Sequence, residues 1–289
     1  MKKNDILQRF LFDGTDIRGE IVTLETSYQT IVGKHNYPPS VAELFGEFIA
    51  AASLLSATLK FPGIISIQAR GDGPLSTVMA ECAAGTQLRG IVRGDLPAAG
   101  NVSSLQDMLG SGTLAITIEP EDGERYQGIV PMESGSLSQC LEFYFQQSEQ
   151  LPTKLRLSAN PELAAGILVQ QMPRTGDSAK NISDWETVSA LLETIKPEEQ
   201  LSLSHNDQLY LLFHEEEVRL FEPQYLQFFC SCSKQRTESA LINLGITEMR
   251  NIIEEQGRVL ITCQFCDEEY CFNKEHIESL FNSPEATLH

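Results

Sequence analysis

Positive charge is scarce in this chain. Its 289 residues carry 21 lysines and arginines against 40 aspartates and glutamates, a formal net charge of −19. Nowhere do more than two or three basic side chains cluster, so the footprint of a protein whose main partner is a phosphate backbone is missing, and no nucleic acid partner is expected. Long apolar runs are missing too. The longest uncharged apolar stretch, residues 48–59, is far short of the roughly 20 residues that cross a bilayer, so no membrane partner is expected either. Met1-Lys2-Lys3 opens like a signal peptide, but Asp5, Arg9 and Asp13 break any apolar segment behind it. A cytoplasmic protein is expected.

Several catalytic signatures are also absent. No G-x-x-x-x-G-K-[ST] sequence occurs, which argues against direct use of ATP. Gly71-Asp72-Gly73-Pro74-Leu75-Ser76 lacks the third glycine of a dinucleotide fingerprint and reads as a turn. His214-Glu215-Glu216-Glu217-Val218 starts like a zinc-protease helix but has Val where the second His must stand, so it reads as a solvated acidic helix end. There is no internal repeat and no low-complexity tract. The reading is therefore not an enzyme.

What is present is ample material for a core, with 42% hydrophobic residues, and the length suggests more than one domain. Residues 1–178 alternate short β-like runs (17–24, 63–69, 114–118) with turn signals at Gly71–Pro74 and Asp122-Gly123. Helical periodicity interrupts them at 40–59, where Val41, Leu44, Phe45, Phe48, Ile49, Ala52 and Leu55 share one face, and again at 137–147. This is an α+β pattern, an N-terminal mixed sheet-and-helix domain. The breaker-rich segment 173–178 marks its end.

Residues 179–229 read as a helical, acidic linker with 3 basic and 10 acidic side chains and few bulky apolar ones. Ser183 and Glu186 suggest a capping box opening a helix over 184–195, which Pro197 stops, and a second amphipathic run covers 207–216. Such a short, strongly negative helical pair is marginal unless it packs on something else. Trp185 reads as its packing anchor on the first domain.

Cysteine is the most lopsided residue: five of the seven lie in residues 230–289. Cys230-Ser231-Cys232 and Cys263-Gln264-Phe265-Cys266 form C-x-C, a 30-residue gap, then C-x-x-C. Four thiolates from two clips suit one tetrahedral Zn²⁺. Sixty residues also make too small a core to stand comfortably without a metal. Short strands at 259–262 and 270–272 place the C-x-x-C on a hairpin knuckle. Helices are expected over 237–244 and 247–255, and a third, capped by Asn273, runs to about residue 281. The whole is a small C-terminal α/β zinc-binding domain. Cys271 is expected as a small buried hydrophobe on a strand, and Cys82 and Cys140 as core residues of the first domain.

Each cysteine pair is local in sequence and can in principle oxidise without a partner from afar, removing two ligands per disulfide. Zinc binding in small modules contributes about 10–16 kcal/mol, and a whole domain is stable by only about 5–15 kcal/mol. Loss of the metal is therefore expected to unfold the module outright.

The C-x-C…C-x-x-C tail resembles that of the redox-regulated bacterial chaperone family, the thirty-three-kilodalton heat-shock protein. The likeness continues through Phe10-Leu11-Phe12, Arg18-Gly19-Glu20 and segments 54–61, 71–74, 124–130, 144–153, 168–173 and 214–218. The resemblance implies an ATP-independent holdase, inactive when reduced and zinc-bound. Oxidation would convert Cys263–Cys266 and then Cys230–Cys232 to disulfides, release zinc, unfold the C-terminal redox-switch domain (230–289) and the linker (179–229), and expose surface for clients. It further implies unfolded or oxidatively damaged client proteins as partners, hand-over to ATP-driven foldase chaperones, and a homodimer when oxidised.

Two other readings of the cysteines stay open at this point. One is a structural zinc ribbon serving recognition; the other is a thiol–disulfide oxidoreductase using Cys263 and Cys266. The second wants an exposed, low-pKa thiol at a helix N-terminus.

Overall fold

A computed structural model describes residues 5–173 and 178–282. The chain forms two compact units, Met1–Phe229 and Cys230–His289.

The first unit is built on two six-stranded sheets. In one, the order is β10 (Val218–Leu220), β1 (Ile6–Phe12), β2 (Ile17–Leu24), β9 (Ala164–Gln171), β8 (Thr153–Ala159), with β11 (Gln224–Tyr225) also pairing β1. In the other it is β12 (Gln227–Phe228), β5 (Gln87–Gly94), β4 (Leu75–Ala83), β3 (Gly63–Gly71), β6 (Gly112–Pro120), β7 (Tyr126–Pro131). All pairings are antiparallel except β12 with β5. The turn signals at Gly71–Pro74 and Asp122-Gly123 join β3 to β4 and β6 to β7, as hairpin chemistry requires.

The helix Pro39–Thr58 packs against strands of both sheets. Its apolar face and most of its opposite face are buried, Val41, Phe45, Phe48 and Leu54 among them. By length and composition alone this helix could cross a membrane, but 72% of its apolar window is buried inside the protein. It is the core helix of the α+β unit. Cys82 and Cys140 are buried in the same core.

The first sheet has two apolar faces. Leu7, Val22, Leu24 and Leu168 face the central helix, while the alternate residues Phe10, Phe12, Ile17, Ile21, Ile167 and Val169 face outward. Strand β9 is buried at every position, the mark of a strand covered on both sides. Gly19 of β2 lies directly across from Phe10 of β1, and any Cβ there would fall inside the Phe10 ring.

Segment 179–229 covers that outer face. Its helices Ser178–Leu192, Pro197–Ser202 and His205–Phe213 bury Val188, Leu192, Ile195, Leu209, Leu212 and Phe213 against the outward residues, with Trp185 half-buried beside them. Four of its polar side chains, Asn181, Gln200, His205 and Gln208, are buried as well.

Several local expectations need correction. The expected boundary at 173–178 falls largely on residues 174–177, which lie outside the described residues. Ser183 caps no helix: it sits inside Ser178–Leu192, where its carbonyl accepts from the Thr187 hydroxyl at 2.9 Å. The helix starts earlier because Asn181 is anchored on the first sheet, its amide donating to Asp16 at 3.1 Å and its carbonyl accepting from Gln171 at 2.9 Å. Pro197 opens the next helix rather than ending this one, since its missing N–H costs nothing at the first helical position. The stretch just before the C-x-C holds two short strands, β11 on the first sheet and β12 on the second.

In the second unit, β13 (Val259–Thr262) and β14 (Glu269–Phe272) form a hairpin, with helices Lys234–Leu244, Ile246–Gln256 and Lys274–Asn282 packed beside it. Among the described residues its core is five buried side chains: Leu241, Met249, Val259, Phe272 and Ile277. Asn273 caps the last helix, its Oδ1 accepting from the His276 N–H at 2.9 Å.

Candidate metal centre

The β13–β14 hairpin closes on a turn that presents two of the four sulfurs. The Cys263 N–H donates to the Glu268 carbonyl at 2.9 Å, and the Asp267 N–H donates to the Cys263 carbonyl at 2.9 Å. Asp267 takes φ +59°, a left-handed conformation that a short polar side chain tolerates. That bend aims Cys263 and Cys266 the same way.

The other clip precedes the helix Lys234–Leu244. Ser233 caps this helix, accepting from the Arg236 N–H at 3.2 Å. The Arg236 guanidinium reaches back to donate to the Ser231 carbonyl at 3.0 Å and its hydroxyl at 2.7 Å. Ser231 is thereby held turned away, and Cys230 and Cys232 stand on either side of it.

All four sulfurs lie within 4.8 Å of one another. Cys230 Sγ is 3.6 Å from Cys263 Sγ, and Cys232 Sγ is 3.4 Å from Cys266 Sγ. A tetrahedron with metal–sulfur arms of about 2.3 Å has edges of about 3.8 Å, so the four half-buried thiols already stand near that spacing. The structure contains no disulfide; all seven cysteines are free.

The electrostatics suit a cation. Burial pushes the Cys230 and Cys266 thiols up, and hydrogen bonds with neighbouring sulfurs hold Cys266 higher still. At Cys232 burial works the same way, but hydrogen bonds from Tyr270 and the other sulfurs outweigh it and bring the thiol below its ordinary range. Four thiolates cannot coexist here without a positive charge among them. A soft, divalent, tetrahedral ion fits this donor set, and the residues that would hold it are Cys230, Cys232, Cys263 and Cys266.

Tyr270 is a participant that sequence reasoning missed. Its hydroxyl donates to Cys232 Sγ at 3.2 Å, an outer-shell contact of the kind that orients metal ligands. The signal was a polar-tipped aromatic on the strand leaving the knuckle. Cys271 corrects an expectation. It is exposed, not buried, because Phe272 takes the core-facing position of β14 and alternation turns its neighbour outward. It also stands apart from the four-sulfur cluster.

Comparison with known proteins finds relatives along nearly the whole chain. A family model described as Hsp33 protein matches residues 5–273. The 33 kDa chaperonin of Pseudomonas paraeruginosa is 44% identical over 297 residues, covering 100% of both chains. That of Ectopseudomonas mendocina is 46% identical over 294 residues, covering 99% of this chain and 100% of the relative. The crystal structure of the 33 kDa chaperonin from Thermotoga maritima superposes with a TM-score of 0.81 at 22% identity, covering 97% of this chain and 98% of that one, which establishes a shared fold. These relatives are named as chaperonins and not as enzymes. By the family match and the full-length likeness, this chain belongs to the Hsp33 family of chaperones.

Proposed function

We propose that this protein is a redox-regulated, ATP-independent holdase whose reduced, Zn²⁺-bound form is inactive. The observation that carries the reading is the gathering of four sulfurs, from clips 30 residues apart, in a unit with five buried core side chains among its described residues. When bound, Zn²⁺ supplies folding free energy to that unit and has no redox chemistry of its own.

Oxidation acts on the ligands. Two thiolates, Cys263 and Cys266, give two electrons to a peroxide; an S–S bond forms, the O–O bond breaks, and the two oxygens leave as water once protonated. Cys230 and Cys232 react the same way with a second peroxide. After both steps no thiolate remains to hold a metal, and the module loses its main source of stability.

On this reading the chain works as three functional parts: a stable domain (1–178), a conditional linker (179–229) and a zinc-dependent lock (230–289). The way the linker is held supports its conditional character. It docks through six buried apolar side chains and through the buried polar groups Asn181, Gln200 and His205, which hydrogen-bond to the first sheet or the loop that leads into it. Such bonds contribute only about 0.5–1.5 kcal/mol net each. Undocking would uncover the apolar row of Phe10, Phe12, Ile17, Ile21, Ile167 and Val169, a surface suited to unfolding clients. Dense negative charge on the released segments keeps them soluble. Clients would be unfolded or oxidatively damaged proteins, handed on to ATP-driven foldases, with a homodimer as the active form and the cytoplasm as its location. An oxidoreductase is less well supported, because Cys263 and Cys266 sit on a hairpin turn rather than at the helix N-terminus that activates a catalytic thiol.

The test is suppression of client aggregation, read by light scattering, with protein held reduced and zinc-loaded or treated with peroxide at raised temperature. Holdase activity should emerge only after oxidation and vanish on return to reductant and zinc. Equal activity in both states would refute the reading.

A further inference from the structure

The first unit contains an apolar cleft of about 400 Å³ that the redox account does not use. It opens between the two sheets at the C-terminal end of the core helix, within the size range of small-molecule sites. Leu55, Ile65, Ile116, Ile118, Tyr144 and Phe145 are among the apolar side chains of its wall. Besides the Tyr144 hydroxyl, the polar side chains on it are few: Arg18, Thr58, Lys60, Glu149 and Gln170.

Arg18 is the unusual member. Its neighbour Glu20, fully buried, gives Oε1 to Arg9 at 3.0 Å and not to Arg18. Arg18 Nη2 donates to the Gln170 side-chain oxygen at 2.7 Å, a neutral acceptor, and its buried Nε has no partner. Among the described residues no carboxylate lies within ion-pair distance of this guanidinium. Glu20 acts on this half-buried cation only through space, so the cation's direct hydrogen bond goes to a neutral amide and no carboxylate pairs with it on the apolar wall. Lys60 is exposed at the same cleft and forms no ion pair among the described residues. Glu149 is engaged by the Tyr144 hydroxyl at 3.0 Å. In a protein of net charge −19, this cleft carries two cations against one carboxylate.

We propose that the cleft is a binding site for a small amphipathic carboxylate of the medium-chain fatty-acid type. The head group would accept from the Arg18 Nη atoms and sit near Lys60, and the alkyl chain would lie among Ile65, Ile116, Ile118 and Phe145. This inference is independent of the cysteine switch and goes beyond the holdase reading.

The experiment is calorimetric titration of the full-length, reduced, zinc-loaded protein with decanoate, below its micelle concentration. Acetate (head without tail), decanol (tail without charge) and decylamine (opposite charge) serve as comparisons. Saturable one-to-one binding of decanoate is expected, about ten-fold or more tighter than decanol, with no competition from acetate and little binding of decylamine. Arg18→Gln should weaken decanoate about ten-fold or more while leaving decanol unchanged. Lys60→Gln, an exposed substitution that leaves the fold intact, should weaken decanoate by a smaller factor and lessen the salt dependence of binding. Absence of saturable decanoate binding, equal affinity for decylamine, or decanoate affinity indifferent to both substitutions would overturn the proposal.

Discussion

Ser158 and Gln200 are joined across the boundary between the first sheet and the acidic segment. The Ser158 hydroxyl donates to Gln200 Oε1 at 2.7 Å, and Gln200 Nε2 donates to the Arg156 carbonyl at 2.9 Å. Both side chains are buried. Gln200→Ala should therefore cost about 1–3 kcal/mol, because Ser158 keeps a buried hydroxyl with no partner. The expected outcome is a lower temperature for undocking of the segment, read by fluorescence of Trp185, the only tryptophan in the chain, with the β-sheet signal of the first unit retained. An unchanged Trp185 transition would show that this pair does not hold the segment.

A second anchor titrates. His205 is buried, with Nδ1 2.8 Å from Gln8 Oε1 and Nε2 3.1 Å from the Thr23 hydroxyl, and burial depresses its pKa from 6.5 to about 4. The undocked state then binds more protons than the docked state between those values. Docking free energy from this residue is intact above about pH 6.5 and declines as pH falls toward 4. Glu20, raised by burial to about 7, has the opposite sign, because its folded state holds the extra proton. The His205 contribution is isolated by comparing wild type with His205→Asn: the difference in Trp185 undocking temperature should change across pH 6.5 to 4 and stay constant above pH 7. A pH-independent difference would contradict the assignment.

Tyr270 offers a test at the metal centre that spares the ligands. Tyr270→Phe removes the hydrogen bond to Cys232 Sγ and little else. Outer-shell losses of this kind lower metal affinity about 10–100-fold. Zinc competition against a chromogenic chelator should show a drop in that range, with the fold of the loaded module retained. Affinity equal to wild type would mean the contact does not tune the site.

Cys271 separates the reactive from the ligating thiols. Being exposed and outside the cluster, it should be the first cysteine alkylated in the zinc-loaded protein, with the four cluster cysteines protected. Cys271→Ser should leave zinc stoichiometry unchanged. Loss of zinc in that variant would place Cys271 among the ligands.

Much of this was legible in the amino acids, and the exceptions have physical reasons. The core helix, the two hairpin turns and the four-cysteine pattern are local signals: 3.6-residue periodicity, glycine-rich turns and ligand spacing. The start of the helix Ser178–Leu192 was not, because Asn181 is held by Asp16 and Gln171, tertiary partners that override the Ser183–Glu186 capping signal. The docking of the acidic segment was also hidden. Gln200 and His205 find their buried partners on strands of the first sheet that are distant in sequence, and Gln208 bonds back to the segment's own Gln200 and Leu203 carbonyls. Tyr270 offered only a weak signal, a polar-tipped aromatic near the knuckle, because its partner Cys232 lies 38 positions away.

The central claim is that the cysteine cluster is a lock whose opening releases the acidic segment. One experiment addresses it most directly: peroxide treatment at raised temperature, following zinc per chain, disulfide connectivity by peptide mapping and Trp185 fluorescence in the same sample. The account predicts one zinc lost per chain, Cys230–Cys232 and Cys263–Cys266 bonds formed, and Trp185 exposed to water together with the metal's departure. Zinc retained under oxidant, or zinc lost while Trp185 keeps its half-buried environment, would contradict it.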